Sequence, residues 1–301
     1  MKVSIIGCGR VGTTTAYAIA LQGLAKELVL VDVDGEKAKG EALDIVHGTG
    51  QLPNISVSSG GYQKTADSDI VIVTAGIPRK PGENRLDLAK KNVQVVKDII
   101  DKVMSVNSEP YIIMVSNPVD IMTQIAFKQS KLPYQKIFGL GNVLDLLRFE
   151  SLLGNYLGIH PANVSSMVIG EHGDSMVILD DNTYISGVPL NRYKVISQQT
   201  LAKIKEDTVK GGAQVIERKG GTFYSVSLAI CKVVEAINKN TKEILPVCYY
   251  HHNNETTYSE PVIVGKNGIE HEVKLDLCPS KQVKLQNSIS IIKSMLNDIE
   301  A

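Results

Sequence analysis

Short apolar runs alternate with helical patterns through the first half of the chain. The apolar runs, rich in β-branched residues, span 3–6, 28–31, 70–73 and 111–115. Segments 12–22, 36–47 and 86–106 carry apolar residues at helical spacing. Apolar strands that alternate with amphipathic helices are typical of a parallel sheet covered on both faces. The pattern therefore predicts an α/β fold with a doubly wound parallel sheet.

The second half of the chain has a more mixed pattern. Strand-like runs span 164–169, 176–179, 244–249 and 261–264, two long helical patterns lie within 197–238, and one more spans 281–299. We predict an α+β domain over residues 144–301 that follows a Rossmann-type domain over residues 1–143. No Pro-rich or Ser-rich linker marks this boundary, so we expect the two halves to share an interface.

Charge and composition narrow the range of partners. The chain has 32 basic and 32 acidic residues and no separate basic block, so nucleic acid is not an expected partner. No export signal follows Met1, and the apolar runs are shorter than the roughly 20 residues of a membrane span, so no membrane is expected. The four cysteines are Cys8, Cys231, Cys248 and Cys278. They are not spaced like metal ligands or a redox pair, so we expect reduced thiols in the cytoplasm and no bound metal.

A glycine motif follows the first predicted strand and opens a helix. Gly7, Gly9 and Gly12 fit Gly-x-Gly-x-x-Gly, which lets backbone approach a pyrophosphate at a helix N-terminus. Glycines also occur in turns for steric reasons alone. Asp32, however, ends the second predicted strand, where its carboxylate can accept both adenosine ribose hydroxyls. Since Asp32 would repel a 2′-phosphate and residues 33–36 contain no basic residue, we predict NAD rather than NADP.

One histidine lies between glycines directly after a predicted strand. Oxidation of a secondary alcohol by hydride transfer needs a base for the hydroxyl proton and a cation for a neighbouring carboxylate. His172 is the candidate acid/base. Asp145 and Arg148 lie three residues apart on one face of a predicted helix and are its candidate partners. The same pair could instead form an intrahelical salt bridge with no catalytic role.

Four motifs occur together along the chain and cover both predicted domains. They are the glycine motif, Ser116-Asn117-Pro118-Val119-Asp120, Leu144-Asp145-x-x-Arg148, and Gly-Glu-His-Gly-Asp at 170–174. In this combination and order, the sequence closely resembles the L-lactate/L-malate dehydrogenase family. The resemblance implies an oxidoreductase that transfers hydride between NAD and a small 2-hydroxy or 2-keto acid, working as a homodimer or homotetramer.

The resemblance also implies a role for individual residues. Asp145 would orient His172 and stabilise its imidazolium, and Arg148 would hold the substrate carboxylate with two hydrogen bonds. Asn117 would bind substrate and help position the nicotinamide, and Thr222 would face the substrate pocket. The implied cofactor-binding residues are Gly7, Gly9, Arg10, Val11, Gly12, Asp32, Thr74, Ala75, Gly76, Asn92, Val115 and Asn117.

Pro and Gly residues interrupt segment 76–85, which precedes a long helical pattern. This composition fits a mobile lid, although an exposed basic loop would have the same composition. In the resembled family the lid closes over substrate, and its second arginine, here Arg85, polarises the reacting carbonyl as a catalytic and substrate-binding residue.

Arg79 lies where the family separates its substrates, because lactate enzymes commonly carry Gln there and malate enzymes carry Arg. An enclosed guanidinium would pair with the second carboxylate of oxaloacetate, but beside the methyl group of pyruvate it would lose water without gaining a partner. We therefore predict a malate dehydrogenase. Lactate dehydrogenase is the alternative, since the sequence around His172 and Thr222 also looks like lactate enzymes.

Two further interpretations stay open. An NAD-dependent glycosidase-like hydrolase would share the first domain but would need a Cys-and-His metal pair, where this sequence has Ser116 and the motif around His172. A non-catalytic nucleotide-binding protein would bind NAD without turnover.

Glu150 and Ser165 stand where bacterial lactate enzymes activated by fructose 1,6-bisphosphate carry an Arg and a His. A carboxylate in place of a guanidinium would repel a sugar phosphate, so we predict no such activation.

Overall fold

A parallel sheet forms the centre of the first half. The computed structural model describes residues 1–77 and 85–300, and side chains within 1–77 and 89–299. The six parallel strands are β1 (Lys2–Ile6), β2 (Glu27–Val31), β3 (Ser56–Ser59), β4 (Ile70–Val73), β5 (Tyr111–Met114) and β6 (Ile137–Gly139). Their spatial order is β3-β2-β1-β4-β5-β6, and each neighbouring pair is parallel. The order reverses between β1 and β4, where doubly wound folds bind ligands, so the predicted fold class is confirmed.

Eight α-helices occur within the described residues. They are α1 (Arg10–Leu21), α2 (Gly35–His47), α3 (Arg85–Met104), α4 (Val119–Ser130), α5 (Val143–Leu157), α6 (Gln198–Lys219), α7 (Tyr224–Lys239) and α8 (Pro279–Glu300). Two of these helices have a side-chain cap: Asp34 accepts a hydrogen bond from Lys37 N at 3.0 Å at the start of α2, and Ser197 accepts one from Thr200 N at the start of α6. None of these described helices combines the length and apolarity that a bilayer crossing requires.

The strands of the second half extend the central sheet and add two small sheets. They are β7 (Val164–Ser165), β8 (Val168–Ile169), β9 (Val177–Ile178), β10 (Tyr184–Ile185), β11 (Val188–Pro189), β12 (Glu243–His251), β13 (Thr256–Gly265) and β14 (Gly268–Glu272). β12 runs antiparallel beside β6, with Cys248 opposite Gly139. The predicted single strand over 164–169 is wrong, because β7 pairs with β10 whereas β8 pairs with β9.

Alternate residues of the central strands pack on opposite faces of the sheet. Ile5, Leu30 and Ile72 belong to one apolar cluster, which α1 and α7 cover, whereas Ile6 and Val73 belong to a second cluster, which α3, α4 and α8 cover. Because α7 and α8 belong to the second half, both halves contribute to both clusters. The predicted boundary between residues 143 and 144 falls in the first turn of α5, and the division into two domains stays a prediction.

Candidate active site

The loop between β1 and α1 brings the glycine motif to the point where the strand order reverses. Gly7 has φ +104°, a conformation that favours glycine. A Cβ on Gly12 would lie 1.9 Å from the carbonyl oxygen of Gly7, so the fold itself requires this glycine. A Cβ on Gly9, in contrast, would meet nothing within 4 Å. The fold does not require glycine at position 9, so the open space there fits the close approach of a pyrophosphate.

Asp32 is fixed against this loop. Its Oδ2 accepts a hydrogen bond from Cys8 N at 2.5 Å, and its Oδ1 accepts one from Asp34 N at 2.9 Å. Thr74, directly after β4, donates from Oγ1 to the carbonyl oxygen of Gly7 at 2.8 Å. The predicted cofactor residues from three strand ends therefore lie together, and they fit the adenosine and phosphate groups of NAD.

We expect Gly9→Ala to weaken NADH binding while leaving thermal stability nearly unchanged. The added methyl group has room in the folded chain, but it would occupy the space into which a pyrophosphate must come. NADH fluorescence titration and a thermal unfolding curve measure the two effects. Gly12→Ala is the contrasting variant, since its methyl group overlaps the backbone and should lower the unfolding temperature. Tight NADH binding by Gly9→Ala would contradict this assignment.

Two predicted asparagines connect the cofactor residues to the next strand. The buried Asn92 of α3 accepts a hydrogen bond from Ile77 N at 2.8 Å and donates to the carbonyl oxygen of Asn117 at 2.9 Å. Its amide therefore holds two loops together. Asn117 itself follows β5 and is exposed, with a cis peptide bond to Pro118.

His172 lies in the loop between β8 and β9, and it forms a charged row with Asp145 and Arg148. The Nδ1 atom of His172 is 2.5 Å from Oδ2 of Asp145. The Oδ1 of the same carboxylate accepts a hydrogen bond from Nη1 of Arg148 at 2.7 Å, and Nη1 also donates to the carbonyl oxygen of Thr208 at 3.2 Å. Asp145 is fully buried. The predicted Asp145–Arg148 helix pair is present, and its Asp145 contacts His172 as well.

These contacts favour the charged form of His172. Burial opposes the imidazolium, but the carboxylates of Asp145 and Asp120 outweigh it and raise the pKa of His172 above its usual range. Burial likewise opposes the Asp145 carboxylate, but His172 and Arg148 hold the pKa of Asp145 below its usual value. The described groups around His172 therefore stabilise its imidazolium form.

A small cavity of about 50 Å³ lies beside His172. Its lining is mostly aliphatic and includes three of the predicted substrate and cofactor residues. The lining residues are Val115, Asn117, Val119, Leu140, Gly141, Leu144, His172, Thr222 and Val226. The cavity therefore brings together residues from both halves of the chain next to the candidate acid/base, and its size suits a small organic acid.

Gly211, in the middle of α6, makes room for Arg148. A Cβ on Gly211 would lie 2.4 Å from Cδ and 2.7 Å from Nε of Arg148. If Arg148 binds the substrate carboxylate, as the family resemblance implies, we expect Gly211→Ala to displace the guanidinium and raise the KM for the predicted keto acid about tenfold, although alanine adds roughly 0.5–1 kcal/mol to helix stability. Steady-state kinetics with a thermal unfolding curve measure both effects.

Gly212→Ala is the matched control for Gly211→Ala. It makes the same chemical change one residue along the helix, and its Cβ would lie 3.9 Å from Nη2 of Arg148, an ordinary contact. We expect its KM to stay near that of the parent. Equal KM values for the two variants would contradict the proposed contact.

Some sequence predictions lie outside the described residues. Arg79 is among them, and Arg85 begins α3 but its side chain is not described. Glu150 is half-buried, and burial raises the pKa of its carboxyl to about 7, while Ser165 is exposed. The predicted lack of fructose 1,6-bisphosphate activation stays a prediction.

Across 1–77 and 85–300, no group of three or more His, Cys, Asp and Glu side chains could hold a metal ion.

The sequence interpretation missed several residues that support the site. Asp120 Oδ2 accepts a hydrogen bond from His172 N at 2.9 Å. Asn142 donates from Nδ2 to the carbonyl oxygen of Gly170 at 3.2 Å, and Ser288 Oγ accepts a hydrogen bond from Glu171 N at 2.7 Å. Among these residues only Asp120 belongs to one of the motifs described above, Ser116-Asn117-Pro118-Val119-Asp120, but that motif gave no indication of its contact with His172.

The fold and the glycine loop define the first half as an NAD-binding domain. The family model described as lactate/malate dehydrogenase, NAD binding domain, matches residues 1–139. The model described as lactate/malate dehydrogenase, alpha/beta C-terminal domain, matches residues 142–301. The chain therefore belongs to the lactate/malate dehydrogenase family, and its predicted cofactor, NAD, is confirmed.

Three similar proteins are L-lactate dehydrogenases, and none of these three is a malate dehydrogenase. An L-lactate dehydrogenase of Thermoanaerobacter sp. (strain X514) is 40% identical over 308 residues, covering 99% of each chain. One from Clostridium botulinum (strain Loch Maree / Type A3) is 39% identical over 99% of this chain and 96% of its own length. The solved structure of a minor L-lactate dehydrogenase from Enterococcus mundtii has a TM-score of 0.95 and 36% identity, covering 98% of this chain and 97% of its own.

Proposed function

We propose that the chain interconverts pyruvate and L-lactate with NAD. The observation that carries this proposal is the carboxylate of Asp145, which contacts both His172 and Arg148 beside a small, mostly aliphatic cavity. An aliphatic wall suits the methyl group of pyruvate. Among the described lining residues, His172 is the only titratable side chain, so none of them is a second cation for a second carboxylate. The names of relatives with about 40% identity point the same way.

Under this proposal, each residue of the site has a separate role in the reduction of the keto acid. His172 donates its Nε2 proton to the carbonyl oxygen, while Asp145 holds Nδ1 and stabilises the imidazolium before transfer. Arg148 uses Nη1 for Asp145 and Thr208, and we assign its other N–H groups to the substrate carboxylate. We assign to Arg85 the polarisation of the carbonyl. When bound, the reduced nicotinamide supplies the hydride.

L-Malate and oxaloacetate are the second candidate pair, and Arg79 is the residue that favours them. Its guanidinium would pair with the additional carboxylate of oxaloacetate once enclosed. A site built on such a polar pair rejects a substrate lacking the partner by roughly 10⁴-fold. The two candidates therefore make different predictions for one substitution.

The test is NADH oxidation with pyruvate and with oxaloacetate, by the parent chain and by Arg79→Gln. Under the lactate proposal, the parent prefers pyruvate by kcat/KM and the substitution leaves that preference in place. A parent preference for oxaloacetate that Arg79→Gln reverses would establish the malate candidate instead. Lys80→Gln removes a neighbouring positive charge and is the matched control. Turnover of neither acid would overturn both candidates.

We also propose a symmetric homo-oligomer, a dimer or a tetramer, in the cytoplasm. The proposal rests on the family, whose members self-associate, and on the general preference of such enzymes for closed symmetry. Light scattering coupled to size exclusion measures the mass directly, and the mass of a single chain would contradict it.

A further inference from the structure

Asp120 contacts the candidate acid/base from an element that the reaction described above does not use. It lies in the first turn of α4, only 3% exposed, and its Oδ2 accepts a hydrogen bond from the backbone N–H of His172 at 2.9 Å. Its own carbonyl oxygen accepts a hydrogen bond from Oγ1 of Thr257 at 2.6 Å. Asp120 thus connects α4 and β13 to the loop that carries His172.

The second oxygen of Asp120 is unusual. Within the described residues, Oδ1 is buried and accepts no hydrogen bond from an N–H or O–H group, and the further polar partner of the carboxylate is the buried thiol of Cys248, a weak donor. A buried carboxylate with only a thiol as its further polar partner is costly, because a thiol is a weak hydrogen-bond donor. The side-chain oxygen of an asparagine would satisfy the same N–H of His172 without a charge. The hydrogen bond alone therefore does not require a carboxylate at this position.

Charge gives a physical reason for the carboxylate. From α5, Asp145 raises the pKa of His172 and Arg148 lowers it. From α4, Asp120 raises it as well. The charge of Glu171, next to His172 in the sequence, raises the pKa of Asp120, whereas a hydrogen bond from the buried thiol of Cys248 in β12 lowers it. Burial raises the pKa of Asp120 to about 6, although His172 opposes this rise. His172 is therefore flanked by two buried carboxylates, one at its ring and one at its backbone.

We infer that Asp120 is a second positioning residue for His172, whose negative charge keeps the imidazole protonated for keto-acid reduction while its Oδ2 fixes the loop. The inference rests on the proposed function of His172 as the acid/base. Asp120 also connects His172 to the predicted substrate-binding residue Asn117, because it lies three residues after Asn117 on the same segment. Asp120 would act through His172 and not on the substrate.

The sign of the expected pH effect follows from the charge. Removing the carboxylate leaves the imidazolium less stabilised, so the pKa of His172 falls. Reduction needs protonated His172, so its rate is lost at a lower pH than in the parent. Because His172, Asp145 and Asp120 interact, the measured values belong to the group of residues together.

The test compares Asp120→Asn with the parent by two readouts. Histidine labelled with ¹³C gives the titration of His172 by NMR in the protein without substrate, with His172→Asn identifying its resonance. The alkaline limb of kcat/KM for pyruvate reduction gives the second readout. We expect both to move about one pH unit lower in Asp120→Asn. An unchanged titration of His172 in a folded Asp120→Asn protein would overturn the inference.

Thr257→Val is the matched control. It removes the hydroxyl group that donates to the carbonyl oxygen of Asp120, so it disturbs the same contact between α4 and β13 and leaves the carboxylate in place. We expect it to lower the unfolding temperature without moving the His172 titration. An equal shift in Thr257→Val and Asp120→Asn would show a purely structural role and overturn the inference.

Two further outcomes keep the tests separate. If Asp120→Asn does not fold, the ¹³C carboxyl resonance of Asp120 in the parent should still move as His172 loses its proton, and an unresponsive resonance would overturn the inference. If the titration of His172 shifts as expected but the parent reduces no keto acid, the role of Asp120 toward His172 is supported and the proposed function fails.

Discussion

A His172→Asn protein should reduce keto acids about 10²- to 10⁴-fold more slowly than the parent chain, the usual contribution of a general acid. Asparagine keeps a polar side chain of similar reach but cannot donate a proton with the strength of an imidazolium. Stopped-flow and steady-state NADH oxidation measure the loss. NADH fluorescence should show nearly unchanged cofactor affinity, because the predicted cofactor residues are untouched.

The control for this substitution is His47→Asn. His47 is the exposed last residue of α2, so the same chemical change there should leave the rate at the parental value. A folded His172→Asn protein that reduces pyruvate or oxaloacetate at the parental rate would remove the acid/base from the proposal.

Arg148→Lys should raise the KM for the keto acid about 30-fold or more. Losing a hydrogen-bonded charge pair in a buried site costs roughly 2–5 kcal/mol, and lysine keeps the charge but not the paired N–H groups. The substitution also removes the Nη1 hydrogen bond to Asp145 at 2.7 Å. Steady-state kinetics at saturating NADH measure the effect.

Arg192→Lys is the control for Arg148→Lys, since Arg192 is exposed and distant in sequence from the charged row. Its KM values should match the parent. An Arg148→Lys protein with the parental KM for the keto acid would contradict the assignment of the substrate carboxylate to Arg148.

The central strands could be predicted because burial on both faces selects a continuous run of apolar residues. β4 is Ile-Val-Ile-Val, and all four residues are buried. β3 escaped prediction because it is an edge strand whose sequence, Ser-Val-Ser-Ser, carries little apolar character. β6 escaped because three residues are too few to show a pattern. Prediction thus succeeded where the core determines the residue types.

The same reasoning explains what was found and missed at the site. Asp145 and Arg148 are neighbours on a helix, so their spacing alone predicted a contact. The contact between Asp120 and His172 joins positions 52 residues apart, and no local pattern encodes it. The split of the predicted strand over 164–169 was also invisible, since the change of partner depends on which strands lie alongside.

The antiparallel pairing of β12 with β6 has a consequence for any attempt to isolate the nucleotide-binding half. Cutting the chain near residue 143 would strip β6 of its neighbour and uncover the apolar surfaces that α7 and α8 now shield. Such a fragment would display a bare sheet edge, a template for pairing with other copies. Because the two halves share one sheet, each half shields apolar surface of the other from solvent and from pairing with other copies.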